Sequence, residues 1–216
     1  MEEVRFTTED GVSLEGELRL DVAEPRASSV LCHPHPRHGG SKDHPILWAI
    51  RNDLAHRGCA VLGFNFRGIL GSGGTYGGGH AELSDVRAAI DRVREAAPNR
   101  PTVSCGWSFG ANVALREALE DDRVSALALA GIPLSPGDVQ LPPLPGPAEV
   151  RSRGRPVLFL AGANDEFCPA QDLRDYAAAC GAEVAVLEGT NHYLWRRERE
   201  AAALIGDFVD RWVPRS

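Results

Sequence analysis

Apolar residues along this chain follow two alternating rhythms. Short, nearly continuous apolar runs stand at 29–32, 60–64, 102–106, 126–130, 157–161 and 183–187. Runs of that length read as strands buried on both faces. Between them, residues 45–57, 82–97, 109–119 and 169–180 carry helical patterns, and a last helix is expected at 196–212. There Ala201, Leu204, Ile205, Phe208 and Trp212 recur at three- and four-residue spacing, the stripe of a helix docked on a sheet. Ahead of these, residues 4–7 and 13–20 flank Glu9-Asp10-Gly11 and read as an antiparallel hairpin. The pattern predicts an α/β fold: a mostly parallel central sheet, helices on both faces, and the hairpin at one edge. Residues 131–156, with Leu141-Pro142-Pro143-Leu144-Pro145-Gly146-Pro147, have too little periodicity for a helical cap domain. They are expected to form a loop bordering the site.

Composition narrows the function classes. A chain of 216 residues, 43% hydrophobic, suits one domain over residues 1–216. A formal charge of -7 argues against a nucleic-acid partner, which needs clustered Lys and Arg. Arg196, Arg197 and Arg199 alternate with Glu198 and Glu200, as on a solvated helix face. The charged start Met1-Glu2-Glu3-Val4-Arg5 lacks an apolar segment, and no run is long enough to span a bilayer, so the expectation is a cytoplasmic protein with no membrane partner. The cysteines number five, an odd count, and Cys32, Cys59 and Cys105 lie in or beside apolar runs. They read as buried, reduced thiols.

The strongest chemical signal is Gly106-Trp107-Ser108-Phe109-Gly110, between an apolar strand and the helix opening at Ala111-Asn112-Val113. A nucleophilic serine must project from a sharp strand-to-helix turn, and glycines two residues to either side leave that turn room. The following helix would aim its positive end and free N–H groups at the reacting oxygen. Cys105 competes on chemistry alone but lies within the strand, where it should be buried and inert.

A serine hydroxyl needs a base, and in hydrolases with this turn the acid and then the histidine follow the nucleophile in the chain. The histidine after Ser108 is His192, in Gly189-Thr190-Asn191-His192, just past a strand. Between them, Gly162-Ala163-Asn164-Asp165-Glu166 follows another strand and offers Asp165 as the acid that holds the imidazole, with Glu166 as the local alternative. For the oxyanion hole, Phe109 supplies one backbone N–H. The loop Cys32-His33-Pro34-His35-Pro36-Arg37-His38-Gly39-Gly40 supplies the other; its prolines have no N–H, which favours His35.

Two other readings compete. His33, His35 and His38 imitate the spacing of a metallohydrolase zinc motif, but Arg37 stands where an Asp is needed and no later ligand set completes a site. The glycine-rich stretch 68–79 lacks both the P-loop ending and the dinucleotide fingerprint, so it reads as a loop at the site, with Arg67 as a structural anchor.

In order along the chain, His33-Pro34-His35-Pro36 with Gly39-Gly40, Phe64-Asn65-Phe66-Arg67-Gly68, Gly106-Trp107-Ser108-Phe109-Gly110, Asp165-Glu166-Phe167 and Asn191-His192 resemble a group of small bacterial α/β-hydrolases related to the dienelactone hydrolases. The likeness spans nearly the whole chain. It implies a lidless α/β-hydrolase fold, a triad of Ser108, Asp165 and His192, and no cofactor. The dienelactone hydrolases proper use cysteine where Ser108 stands, so their substrate is not carried over. The expected activity is that of a serine hydrolase, of carboxylesterase or thioesterase type, acting on a small-molecule ester or thioester. A non-catalytic binding protein on the same fold is the contrasting class.

Overall fold

The computed structural model describes residues 1–213; residues 214–216 of the expected domain lie outside the described residues. Glu2–Thr7 (β1) and Ser13–Arg19 (β2) pair antiparallel, with Thr7 opposite Ser13. Their connection is longer than a two-residue turn. Gly11 takes φ +82°, its N–H donates to the Thr8 carbonyl at 2.9 Å, and the Thr8 N–H donates to the Val12 carbonyl at 3.0 Å. In β2 Leu14 and Leu18 are buried while the residues between them alternate toward solvent, as a half-buried strand requires.

The remaining strands are Ala27–Cys32 (β3), Cys59–Phe64 (β4), Thr102–Trp107 (β5), Val124–Ala130 (β6), Val157–Gly162 (β7) and Glu183–Leu187 (β8). Among the described residues these make one eight-stranded sheet in the order β1-β2-β4-β3-β5-β6-β7-β8. β2 meets β4 antiparallel, and every pairing from β4 through β8 is parallel. The helices are Pro45–His56 (α1), Glu82–Ala96 (α2), Phe109–Ala118 (α3), Pro147–Ser152 (α4), Ala170–Cys180 (α5) and Glu198–Trp212 (α6). The expected strands and long helices thus form within a few residues of their pattern-based limits.

Both faces of the sheet are covered. α1 and α6 enclose one core with Ile46, Ile50, Val103, Trp107, Leu160, Ile205 and Phe208; α2, α3 and α5 enclose the other with Phe64, Phe66, Ile90, Leu115, Phe159 and Leu173. Neighbours such as Phe159 and Leu160 serve opposite cores, which is why these strands read as unbroken apolar runs. The segment 131–156 departs from expectation in one respect: it contains α4. Pro147 stands at its first turn, Gly146 precedes it, and Val150 is its buried residue. A helix of six residues with one core contact is too short to leave a periodic trace in the sequence.

The chain leaves β3 for α1 on one face and leaves β5 for α3 on the other, although β3 and β5 are adjacent. Their carboxyl ends therefore flank a crevice between diverging connections, where ligands of open α/β sheets bind. No helix of the described residues is long and apolar enough to cross a membrane.

Candidate active site

Ser108 sits between β5 and α3 with φ +56° and ψ -120°, a conformation L-residues adopt only where the surroundings enforce it. The Ser108 N–H donates to the Ala130 carbonyl on β6 at 2.8 Å, and the N–H groups of Ala111 and Asn112 donate to its own carbonyl. A Cβ on Gly106 would lie 2.4 Å from the Gly110 oxygen, and one on Gly110 would lie 2.2 Å from the Cys32 oxygen. Both glycines therefore let α3 approach β3 and β5 closely enough to close the turn.

The three residues picked out after separate strands meet. The Ser108 hydroxyl donates to His192 Nε2 at 2.9 Å, and His192 Nδ1–H faces both Asp165 oxygens, at 2.9 and 3.0 Å. Asp165 Oδ1 also accepts the N–H groups of Phe167 and Cys168, each at 2.9 Å, so the buried carboxylate is fixed from its own loop. Glu166 is exposed and takes no part. The loops carrying acid and base are bound together: the Asn164 N–H donates to the Thr190 carbonyl at 3.0 Å, and a Cβ on Gly162 would lie 2.5 Å from that same oxygen.

The loop after β3 is equally fixed. The Phe66 N–H donates to His33 Nε2 at 3.0 Å, and His33 Nδ1–H donates to the Pro34 carbonyl at 2.7 Å. Burial pushes the His33 pKa down to about 4, so the ring is neutral and both nitrogens are committed to structure. His35 is likewise lowered to about 4, chiefly by burial and then by the neighbouring His38 and Arg37; its Nδ1 accepts the Arg37 N–H at 3.2 Å and its Nε2 faces the Tyr76 hydroxyl at 3.1 Å. Among the described residues no three His, Cys, Asp or Glu side chains gather as a metal-binding group. The His35 carbonyl accepts from His38 and Gly40, while neither His35 N–H nor Phe109 N–H has a protein acceptor among the described residues. Both residues line the cavity over Ser108.

That cavity, about 120 Å³, is walled by Trp107, Phe167, Pro133 and Leu141 together with His192 and Tyr193. The segment 131–156 borders it as expected, through Pro133, Pro136, Val139 and Leu141. Arg67 is a structural anchor: its Nε donates to Asp85 at 2.8 Å and its Nη1 to Asp10 at 2.8 Å, joining α2 to the hairpin connection. All five cysteines are free and buried, and burial raises the Cys105 thiol to about 12.

The sequence reading missed several supports. Trp107 Nε1–H donates to the His192 carbonyl at 3.1 Å, and the His44 ring lies 4.2 Å from the Trp107 ring. Tyr76, from the glycine-rich stretch, holds the His35 ring and packs beside Phe109. Gly131, at φ +54°, leaves room for the His192 ring, whose Cε1 would lie 3.1 Å from a Cβ there. The variable positions of a motif and isolated aromatics in a loop carry no periodic signal. The aromatic beside the nucleophile and the lone tyrosine among glycines were the available clues.

Comparison with known proteins agrees with the fold. A family model described as an alpha/beta hydrolase domain matches residues 27–208. An uncharacterized protein of Rickettsia prowazekii is 23% identical over 97% of this chain and 89% of its own length. Among solved structures, XC6422 of Xanthomonas campestris, described as an α/β serine hydrolase without lid, superposes with a TM-score of 0.83 at 25% identity, covering 100% of this chain and 96% of that one. The putative α/β hydrolase ATU1826 of Agrobacterium tumefaciens gives 0.82 at 25% identity, with 100% of both chains covered. The esterase Pf2001 of Pyrococcus furiosus shares the fold, with a TM-score of 0.80 at 20% identity over 98% of this chain and 92% of that one.

Proposed function

This chain belongs to the alpha/beta hydrolase domain family, and on that premise we propose that it is a serine hydrolase cleaving a small-molecule ester or thioester through an acyl-enzyme. The observation that carries the reading is the continuous hydrogen-bonded chain from Ser108 Oγ through His192 to Asp165.

In the first step Ser108 Oγ attacks the substrate carbonyl carbon while its proton passes to His192 Nε2. Asp165 keeps the proton on Nδ1, so Nε2 is the free base, and its charge stabilises the imidazolium that forms. The carbonyl electrons move to oxygen, and the free N–H groups of Phe109 and His35 receive the developing charge. Collapse of the tetrahedral intermediate breaks the bond to the leaving alcohol or thiol, which takes the proton from His192. Water then attacks the acyl carbon, gives a proton to His192, and Ser108 leaves with that proton as the carboxylic acid is released. The committed imidazole nitrogens of His33 and His35 favour this reading over the zinc alternative.

Covalent labelling by a fluorophosphonate probe tests the proposal. The native protein is expected to label and Ser108→Ala is not. Native protein that stays unlabelled and cleaves neither 4-nitrophenyl acetate nor an acyl-CoA thioester would instead support a binding protein on a hydrolase fold.

A further inference from the structure

Beyond the cavity over Ser108 runs a larger groove of about 730 Å³, and the two share His35, His38, Val139 and Leu141. Arg37 stands on its wall, exposed, with its guanidinium 5.4 Å from the centre of the Tyr76 ring. Its backbone is fixed in a short 3-10 turn, Pro36–His38, whose proline and bonds to His35 leave little freedom. Other arginines have partners: Arg67 pairs with Asp10 and Asp85, Arg51 with Glu17, and Arg116, close to the groove, donates to the Gly79 carbonyl. Arg37 has no carboxylate or hydrogen-bonding partner for its side chain among the described residues. The groove's other ionisable wall groups are His35, His38, Tyr76, His80 and one carboxylate, Asp138, on the facing segment.

We propose that Arg37 determines specificity by binding an anionic group, a carboxylate in its simplest form, at the far end of the substrate's acyl chain. The inference rests on the serine-hydrolase reading and adds the substrate class to it. The inner cavity is smaller than the ~300–1,000 Å³ that holds a typical small ligand, so the rest of a larger substrate must extend into the groove. Direction follows from the chemistry. The leaving oxygen must face His192 to be protonated, and the groove wall contains His35 but neither Ser108 nor His192. The acyl chain, held at its carbonyl by the His35 N–H, is the part that continues past His35 toward Arg37. A planar guanidinium held within cation–π range of an aromatic ring presents a fork of donors matched to a carboxylate.

The test compares monomethyl adipate with methyl hexanoate, and monomethyl suberate with methyl octanoate, by pH-stat titration of released acid. The native enzyme is expected to favour the anionic member of at least one pair in kcat/KM. Arg37→Ala should lower the anionic-to-neutral ratio about 2- to 5-fold and Arg37→Glu should lower it further, as for a solvent-exposed charge pair. Arg37→Lys should restore part of the ratio, and added salt should shrink it in the native enzyme. A ratio unmoved by these variants overturns the proposal while leaving the hydrolase reading intact. Calorimetric binding of adipate to Ser108→Ala, with and without Arg37→Ala, reads the same site without turnover. Binding weakened by Arg37→Ala supports the proposal even if no ester is cleaved; equal or absent binding overturns it.

Discussion

Trp107 and His192, far apart in the chain, are joined by a hydrogen bond from the Trp107 indole N–H to the His192 carbonyl at 3.1 Å. The residue before the nucleophile thus anchors the backbone of the base, and the two can shift only together. Trp107 is buried, with His44 against its ring, so the anchor rests on the core beneath α1 and α6.

Trp107→Phe keeps an aromatic ring but removes this donor, leaving the His192 carbonyl without it. Because the bond positions His192, kcat is expected to fall about tenfold, while the ring's place in the cavity wall should change KM to a smaller extent. Thermal unfolding should show a loss of ~1–2 kcal/mol from the smaller ring and the lost bond. Steady-state kinetics and a melting curve on the same preparation check both. An unchanged kcat with only a lower melting temperature would reduce the bond to a structural role.

Asp165→Asn removes the charge that stabilises the imidazolium and offers His192 an amide able to favour the wrong tautomer. The asparagine carbonyl can still accept from the Phe167 and Cys168 N–H groups, so the loop should hold. Ester hydrolysis is expected to fall by about four orders of magnitude with the melting temperature little changed. Full activity in this variant would reject Asp165 as the acid.

Glu117 lies buried in α3, and among the described residues neither of its carboxylate oxygens receives a hydrogen bond from a donor; Arg87 Nε lies 3.7 Å away. Burial, reinforced by the negative charge of Asp121 and by the hydrogen bond that the protonated Glu117 makes to it, raises its pKa from 4.5 to about 8, against weaker opposing effects of Arg87 and Arg123. The folded state therefore holds a proton that the unfolded chain releases above its lower pKa. This contribution to stability is fully present below about 4.5 and is lost as pH rises through about 8. Glu117→Gln removes the titration, so urea midpoints of the variant should exceed those of the native protein by ~2 kcal/mol in stability above pH 8. The two should converge toward acid pH. Parallel pH profiles would show that Glu117 is ionised and accommodated.

Much of this molecule was legible along the chain. The apolar runs of β3 through β7 are continuous because each strand feeds two cores, and helices between them repeat at 3.6 residues because each buries one stripe. The turn at Ser108 was visible because Gly106 and Gly110 are there for steric reasons that any sequence with this turn must meet. The α4 segment was not, since a helix of six residues holding one buried side chain has no period to detect.

The sequence by itself determined which groups could do chemistry and on which strand ends they stand: Ser108, Asp165 and His192 each follow a strand because such loops are free of the ladder's hydrogen bonds. Only the tertiary structure decided that these ends converge, that Phe109 and His35 keep their N–H groups unpaired among the described residues, and that Tyr76 and Trp107 hold the surrounding loops. It also left the Arg37 guanidinium, among the described residues, without an ion-pair partner on the groove wall. The reason is physical. Local pattern records what a residue must satisfy with its near neighbours, whereas convergence depends on strand order across the sheet and on backbone approaches between segments distant in the chain.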